Sequence, residues 1–152
     1  MPWSTWTDYN LKRTCHRMSV PVGFEHLVPR FPGVYCVRNP HTPVPKHRII
    51  YIGMAGLRGG AGLRGRLASQ CPHSGSERMV DMILDVQLSP DLEISWWPVE
   101  NRREAKDLEA GLLTLYKQKF GHLPQCNVKE EITDATDFFE GIFQELLAHA
   151  LE

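Results

Sequence analysis

Apolar and polar positions recur with two different periods along the chain, and the periods divide it into elements. Val34 to Val37 and Ile49 to Ile52 are rich in β-branched and aromatic residues, and Asn39-Pro40-His41-Thr42-Pro43 between them is dense in turn formers, which predicts a hairpin with a long loop. Alternation puts Tyr35 and Val37 on one strand face, and Tyr51 on a face with Ile49 and Gly53. Paired in this way, the strands set Tyr35 and Tyr51 side by side. Leu92 to Pro98 reads as a third strand, with Leu92, Ile94 and Trp96 on one face and Trp97 on the other.

Helical spacing recurs in four places. Leu63 and Leu67 lie one turn apart in a short helix from Leu63 to Gln70, and Met79, Val80, Met82, Ile83 and Val86 predict a second to about Gln87. Ala105, Leu108, Leu112 and Leu115 form the stripe of a helix from about Arg102 to Phe120. Both its ends are marked: Asn101-Arg102-Arg103-Glu104 has the form of a capping box, and Gly121 suits the left-handed residue that closes a helix. Phe139, Ile142, Phe143, Leu146, Leu147 and Ala150 define a last amphipathic helix within Thr136 to Leu151. Residues 3 to 18 carry Trp3, Trp6, Tyr9 and Leu11, a pattern that fits a short helix or an extended aromatic arm.

Length and composition narrow the class. A chain of 152 residues, 42% hydrophobic and 23% charged, is enough for one domain with its own core and unlike a disordered segment. No run of about 18 apolar residues is present, and the first residues lack the basic start and apolar stretch of a secretion signal, so a cytoplasmic protein off the membrane is expected. The net charge of -1 conceals an asymmetry. Up to residue 78, lysines and arginines face only Asp8, Glu25 and Glu77, whereas the second half is acidic, compatible with a basic face for a polyanion. Cys15, Cys36, Cys71 and Cys126 form no CxxC pair, and an intracellular setting disfavours disulfides. The spacings of Cys71 with His73, and of His122 with Cys126, match no standard zinc pattern.

Several residues carry chemistry only in combination. Residues 54 to 62 are glycine-rich but lack GxxxxGK[ST], so they read as a flexible connection whose backbone can approach a ligand. Arg66 lies about a right angle or more from Leu63 and Leu67 and is free to leave the core, where it would be solvated or, beside the tyrosines, a fork for phosphate. Glu109 sits at the edge of the long helix's apolar stripe, where a carboxylate needs a salt bridge, with Arg103 or Lys106, or a metal. Asn127, alone, is a turn residue.

Taken in order, two tyrosines on paired strands, an arginine on the next helix, a glutamate on a later helix and an asparagine after it resemble the GIY-YIG nuclease family. Gly33-Val34-Tyr35 looks like the family's first signature and Tyr51-Ile52-Gly53 like its second. Leu63-Arg64-Gly65-Arg66-Leu67 is similar to the helix with its arginine, Glu104-Ala105 with Leu108-Glu109 and Leu115-Tyr116 to the helix with its glutamate, and Pro124-Gln125-Cys126-Asn127 to the segment ending in its asparagine.

The resemblance spans roughly residues 31 to 127. It implies a small three-stranded mixed or antiparallel sheet flanked by helices, and an endonuclease hydrolysing phosphodiester bonds in DNA with Mg²⁺ or Mn²⁺. Glu109 would bind the metal, Arg66 would fork onto the phosphate, Tyr35 and Tyr51 would orient the attacking water, and Asn127 would support the site. Gly53, Arg58 and Arg64 would contact substrate. Met54 replaces a lysine common after the second signature, and Gln70 a histidine found one turn after the arginine; Arg58 or Arg64 could supply the charge. The domain reading is an arm or helix over 1–30, the nuclease core over 31–128, and a C-terminal helix over 129–152. That helix could cover the sheet, or meet a second copy or a partner chain through residues 136 to 151. The alternatives are a catalytically weak nucleic-acid-binding module of the same fold and an RNA-directed nuclease or toxin.

Overall fold

Five strands form a single curled sheet in the computed structural model, which describes residues 3–44, 47–57, 60–69, 77–134 and 136–152. β1 (Thr7–Lys12) and β2 (Arg17–Ser19) make one hairpin, β3 (Gly33–Arg38) and β4 (Ile49–Ala55) make the tyrosine hairpin, and β5 (Leu92–Pro98) runs between them. The order is β2-β1-β5-β3-β4, with every pairing antiparallel. The α+β class is as expected, but the sheet has five strands instead of three, and no pair is parallel. Residues 1–30, read as an arm or helix, account for the difference by supplying β1 and β2. Trp3, Trp6 and Tyr9 recur every third residue and so imitate a helix, yet the two tryptophans precede β1 and only Tyr9 lies in it.

Two cores divide the sheet's faces. On one, α1 (Gly62–Ala68) and α2 (Glu77–Leu84) bring Leu63, Leu67, Met79, Val80 and Ile83 against Tyr35, Val37 and the β5 stripe Leu92, Ile94 and Trp96. On the other, α3 (Arg102–Phe120) and α4 (Glu140–Ala150) bring Leu108, Leu112, Phe143 and Leu146 against Val34, Cys36 and Ile52, with Trp97 partly buried beside them. Each such fully buried aliphatic side chain is worth about 1.5–3 kcal/mol against an exposed one. The apolar face of α4 is therefore covered within the chain.

The ends of α3 follow their sequence signals. The Asn101 side chain accepts from the Glu104 N–H at 2.9 Å, and Gly121 adopts φ 83°. Glu104 returns to the Asn101 side-chain amide and the Glu100 N–H, not to the Asn101 backbone. Cys36 and Cys126 are buried and outside any disulfide, while Cys15 is disulfide-bonded, contrary to the expectation of no disulfides, because spacing along a chain does not report distance in a fold. Gln70, Cys71 and His73 lie outside the described residues. Among the described residues no helix is long and apolar enough to cross a membrane.

Candidate active site

The tyrosine pair owes its geometry to an irregularity in the hairpin. The β3–β4 register shifts between Val37 and Arg38, which pair with Tyr51 and Ile49, so Ile50 is the extra residue of a bulge. Ile50 and Tyr51 consequently both pack toward the α1–α2 core, while Ile49 turns to the α3–α4 core. Tyr51 thus does not share a face with Ile49, as strict alternation requires.

Tyr35 stands opposite Gly53 and Tyr51 opposite Val37, making the tyrosines a diagonal pair with ring centroids 5.9 Å apart. Both rings occupy the space that Gly53 leaves. A Cβ there would lie 2.6 Å from the Tyr35 ring and hydroxyl and 2.7 Å from Tyr51 Cε2. Gly53 is needed for close approach, but the groups that approach are the tyrosines, and it does not line the cleft described below.

Asn127 closes the outer edge of β4. An edge strand presents alternate N–H and C=O groups to its open side. The Asn127 Oδ1 accepts from the Ile52 N–H at 3.0 Å and its Nδ2 donates to the Ile52 carbonyl at 2.9 Å, imitating a paired strand with one side chain. The Cys126 N–H adds a bond to the Ile50 carbonyl at 2.8 Å. This clamp fixes the strand that carries Tyr51, and it also stops further pairing at that edge.

Glu109 comes from α3 on the sheet's other side. It is half-buried, and no hydrogen bond or ion pair holds its carboxylate among the described residues, so the expected partners Arg103 and Lys106 do not pair with it. Burial, then the neighbouring Glu131 carboxylate, push its pKa up to about 7, against the pull of Arg66, Lys129 and Lys106. Thr114 places Glu131 there: its hydroxyl contacts the Glu131 carbonyl at 3.3 Å and accepts from the Thr133 N–H at 3.1 Å, tying that segment to α3. Tyr51 is also held protonated, its pKa raised first by burial, then by the adjacent Tyr35 and by Glu109.

These groups meet in a cleft of about 890 Å³ beside the edge of β4. Tyr51, Arg66, Glu109 and Asn127 line it, and Tyr35 lies behind Tyr51. Arg64 does not line it; its Nε donates to the Val28 carbonyl at 2.7 Å, anchoring α1 to the segment before β3. Arg58 lies outside the described residues. Met54, where a lysine was the expected residue, packs on the α3–α4 core, away from the tyrosines. The cleft also contains Arg17, Arg78, Asp81, Asp85, Lys129 and Glu131, none of which was singled out as a site residue from the sequence. Only the basic bias of the first half hinted at Arg17 and Arg78.

A hard divalent cation fits this donor set. Among the described residues no ion pair holds Glu109, whose ionisation is opposed by burial and by Glu131, and a cation is the group that relieves both. Among the described residues no group of three or more His, Cys, Asp and Glu is placed to hold a metal, so such a cation would rely on one carboxylate, water and phosphate for its ligands. No protein-family model, curated protein or solved structure matches the chain.

Proposed function

We propose that the cleft is the active centre of a divalent-cation-dependent endonuclease of the GIY-YIG type, hydrolysing phosphodiester bonds in DNA. The convergence of Tyr51, Arg66, Glu109 and Asn127 in one cleft, from four segments far apart in the chain, carries this reading. A cytoplasmic place of action belongs to it. Arg66 is suited to bind non-bridging oxygens of the scissile phosphate through its planar guanidinium. Tyr51, kept protonated by burial and by the adjacent Tyr35, is a donor that can orient the attacking water or the phosphate. It is poorly placed to act as a base without a cation beside it. Asn127 keeps Tyr51 in place by clamping the next residue of β4. Mg²⁺ or Mn²⁺ held by Glu109 would supply Lewis-acid polarisation of the phosphate and charge stabilisation of the leaving oxygen.

Incubation of supercoiled plasmid, single-stranded DNA and RNA with Mg²⁺ or Mn²⁺ tests the reading. Wild type is expected to cut DNA only with the metal, and Glu109→Ala to lose at least about a hundredfold in rate. Cutting by Glu109→Ala at the wild-type rate refutes the assignment, and cutting of RNA alone transfers the activity to an RNA-directed nuclease. One observation favours a second reading, a binding module of weak activity: the burial that holds the proton on Tyr51. Salt-sensitive nucleic-acid binding without cleavage by either protein would support that reading.

A further inference from the structure

The charges of the cleft are sorted by element in a way that hydrolysis alone does not require. Glu77 and Asp81 on α2, and Asp85 in the turn after it, recur every fourth residue, so they lie along one stripe, and all three are exposed lining groups. The cations come mainly from elsewhere: Arg17 from β2, Arg66 from α1 and Lys129 from the segment after α3, with Arg78 alone on the α2 side. With Glu109 and Glu131 included, five carboxylates face four cations. The cleft as a whole therefore does not attract a polyanion; particular cations do so locally, and the α2 stripe opposes them.

Duplex DNA brings about one charge per 1.7 Å of its axis, and each strand about one per 3.4 Å. Its two phosphate rows flank grooves about 12 and 6 Å wide. With one row on Arg17 and Arg66, a second row in the same cleft meets the α2 carboxylates, whose repulsion extends over a screening length of about 8 Å. A single strand can turn its only phosphate row to the cations and its base edges to the carboxylates, which accept hydrogen bonds from exocyclic amino groups. A volume of about 890 Å³ suits a few nucleotides more than a length of duplex.

We infer that the cleft selects single-stranded over duplex DNA, with phosphates on Arg17 and Arg66 and the α2 carboxylates excluding a second strand. The inference rests on the nuclease reading for the identity of the ligand, but its test is binding. Fluorescence anisotropy without divalent cation compares one labelled oligonucleotide, single-stranded and annealed, on wild type and on Asp81→Asn/Asp85→Asn. Wild type is expected to prefer the single strand by about tenfold or more, and the double variant to gain on the order of tenfold for the duplex while changing less than twofold for the single strand. A duplex preference in wild type, binding of neither form, or an unchanged ratio in the double variant overturns the inference. Both side chains are exposed, and Glu77→Gln/Asp81→Asn serves in the same comparison if the first variant melts early. Single-strand preference without metal-dependent cleavage removes the nuclease reading alone, and cleavage with duplex preference removes this inference alone.

Discussion

At Glu109, folding and the proposed function pull in opposite directions. Its carboxyl has a pKa of about 7 in the fold, against an ordinary value of 4.5, so the folded state holds the proton over a range where the unfolded chain has released it. Stability is accordingly full below about pH 4.5, falls as pH rises toward 7, and stays lowered above that. At about 1.4 kcal/mol per pH unit, reduced for partial exposure, the loss is roughly 2–3 kcal/mol. Glu109→Gln has no proton to lose, so at pH 8 its unfolding free energy in urea should exceed that of wild type by about that amount, with the difference vanishing near pH 4. Equal pH profiles for the two proteins would show that the carboxylate is already paired or well solvated. At the same scale, a candidate metal ligand at the edge of an apolar stripe was legible in the sequence. That no salt bridge holds it among the described residues was not legible, because Lys106 follows α3's own geometry while Glu131 arrives from a separate segment held by Thr114.

Among the elements, β4 and its outer edge decide where Tyr51 stands. The bulge at Ile50 gives two successive residues the same face, and Asn127 then holds the neighbouring Ile52 at both its backbone groups. Removing the clamp leaves a donor and an acceptor partly shielded from water, at a cost of about 1–3 kcal/mol. Asn127→Ala should therefore lower the urea midpoint, and amide exchange should accelerate first at Ile52. A midpoint shift without faster exchange along β4 would place the effect elsewhere. The hairpin, the helix ends at Asn101 and Gly121 and the long stripe of α3 were all legible as local patterns. The bulge was not, since Ile49, Ile50 and Ile52 are equally apolar and periodicity cannot tell which one is extra. Nor could Asn127 be told from an ordinary turn residue, because its partner is 75 positions away.

At the scale of the whole molecule, Arg38 ties together elements from distant parts of the chain. Its guanidinium forks onto Glu93 at 2.8–2.9 Å, donates to the His149 and Ala150 carbonyls at the C-terminal end of α4, and lies 4.2 Å from the centre of the Trp6 ring. One buried side chain on β3 thus joins β5, α4 and the segment that precedes β1. Arg38→Ala leaves Glu93 without its partner and the helix end without its cation, so an unfolding loss of about 3–5 kcal/mol is expected by denaturant titration. A loss below about 1 kcal/mol would mean that water replaces the arginine at little cost. The sequence by itself determined the α+β class, the tyrosine hairpin, the third strand it announced and the helices, because each is written in the periodicity of a few neighbouring residues; the exception is the end of α2, which stops at Leu84 and leaves Val86, expected on its stripe, exposed with φ 60°. Only the tertiary structure decided that the sheet has five strands, that Arg17 and the α2 carboxylates enter the same cleft as Glu109, and that Arg64 turns away from it. Those outcomes depend on which distant segments bury surface together, and a local pattern carries no information about its remote partner.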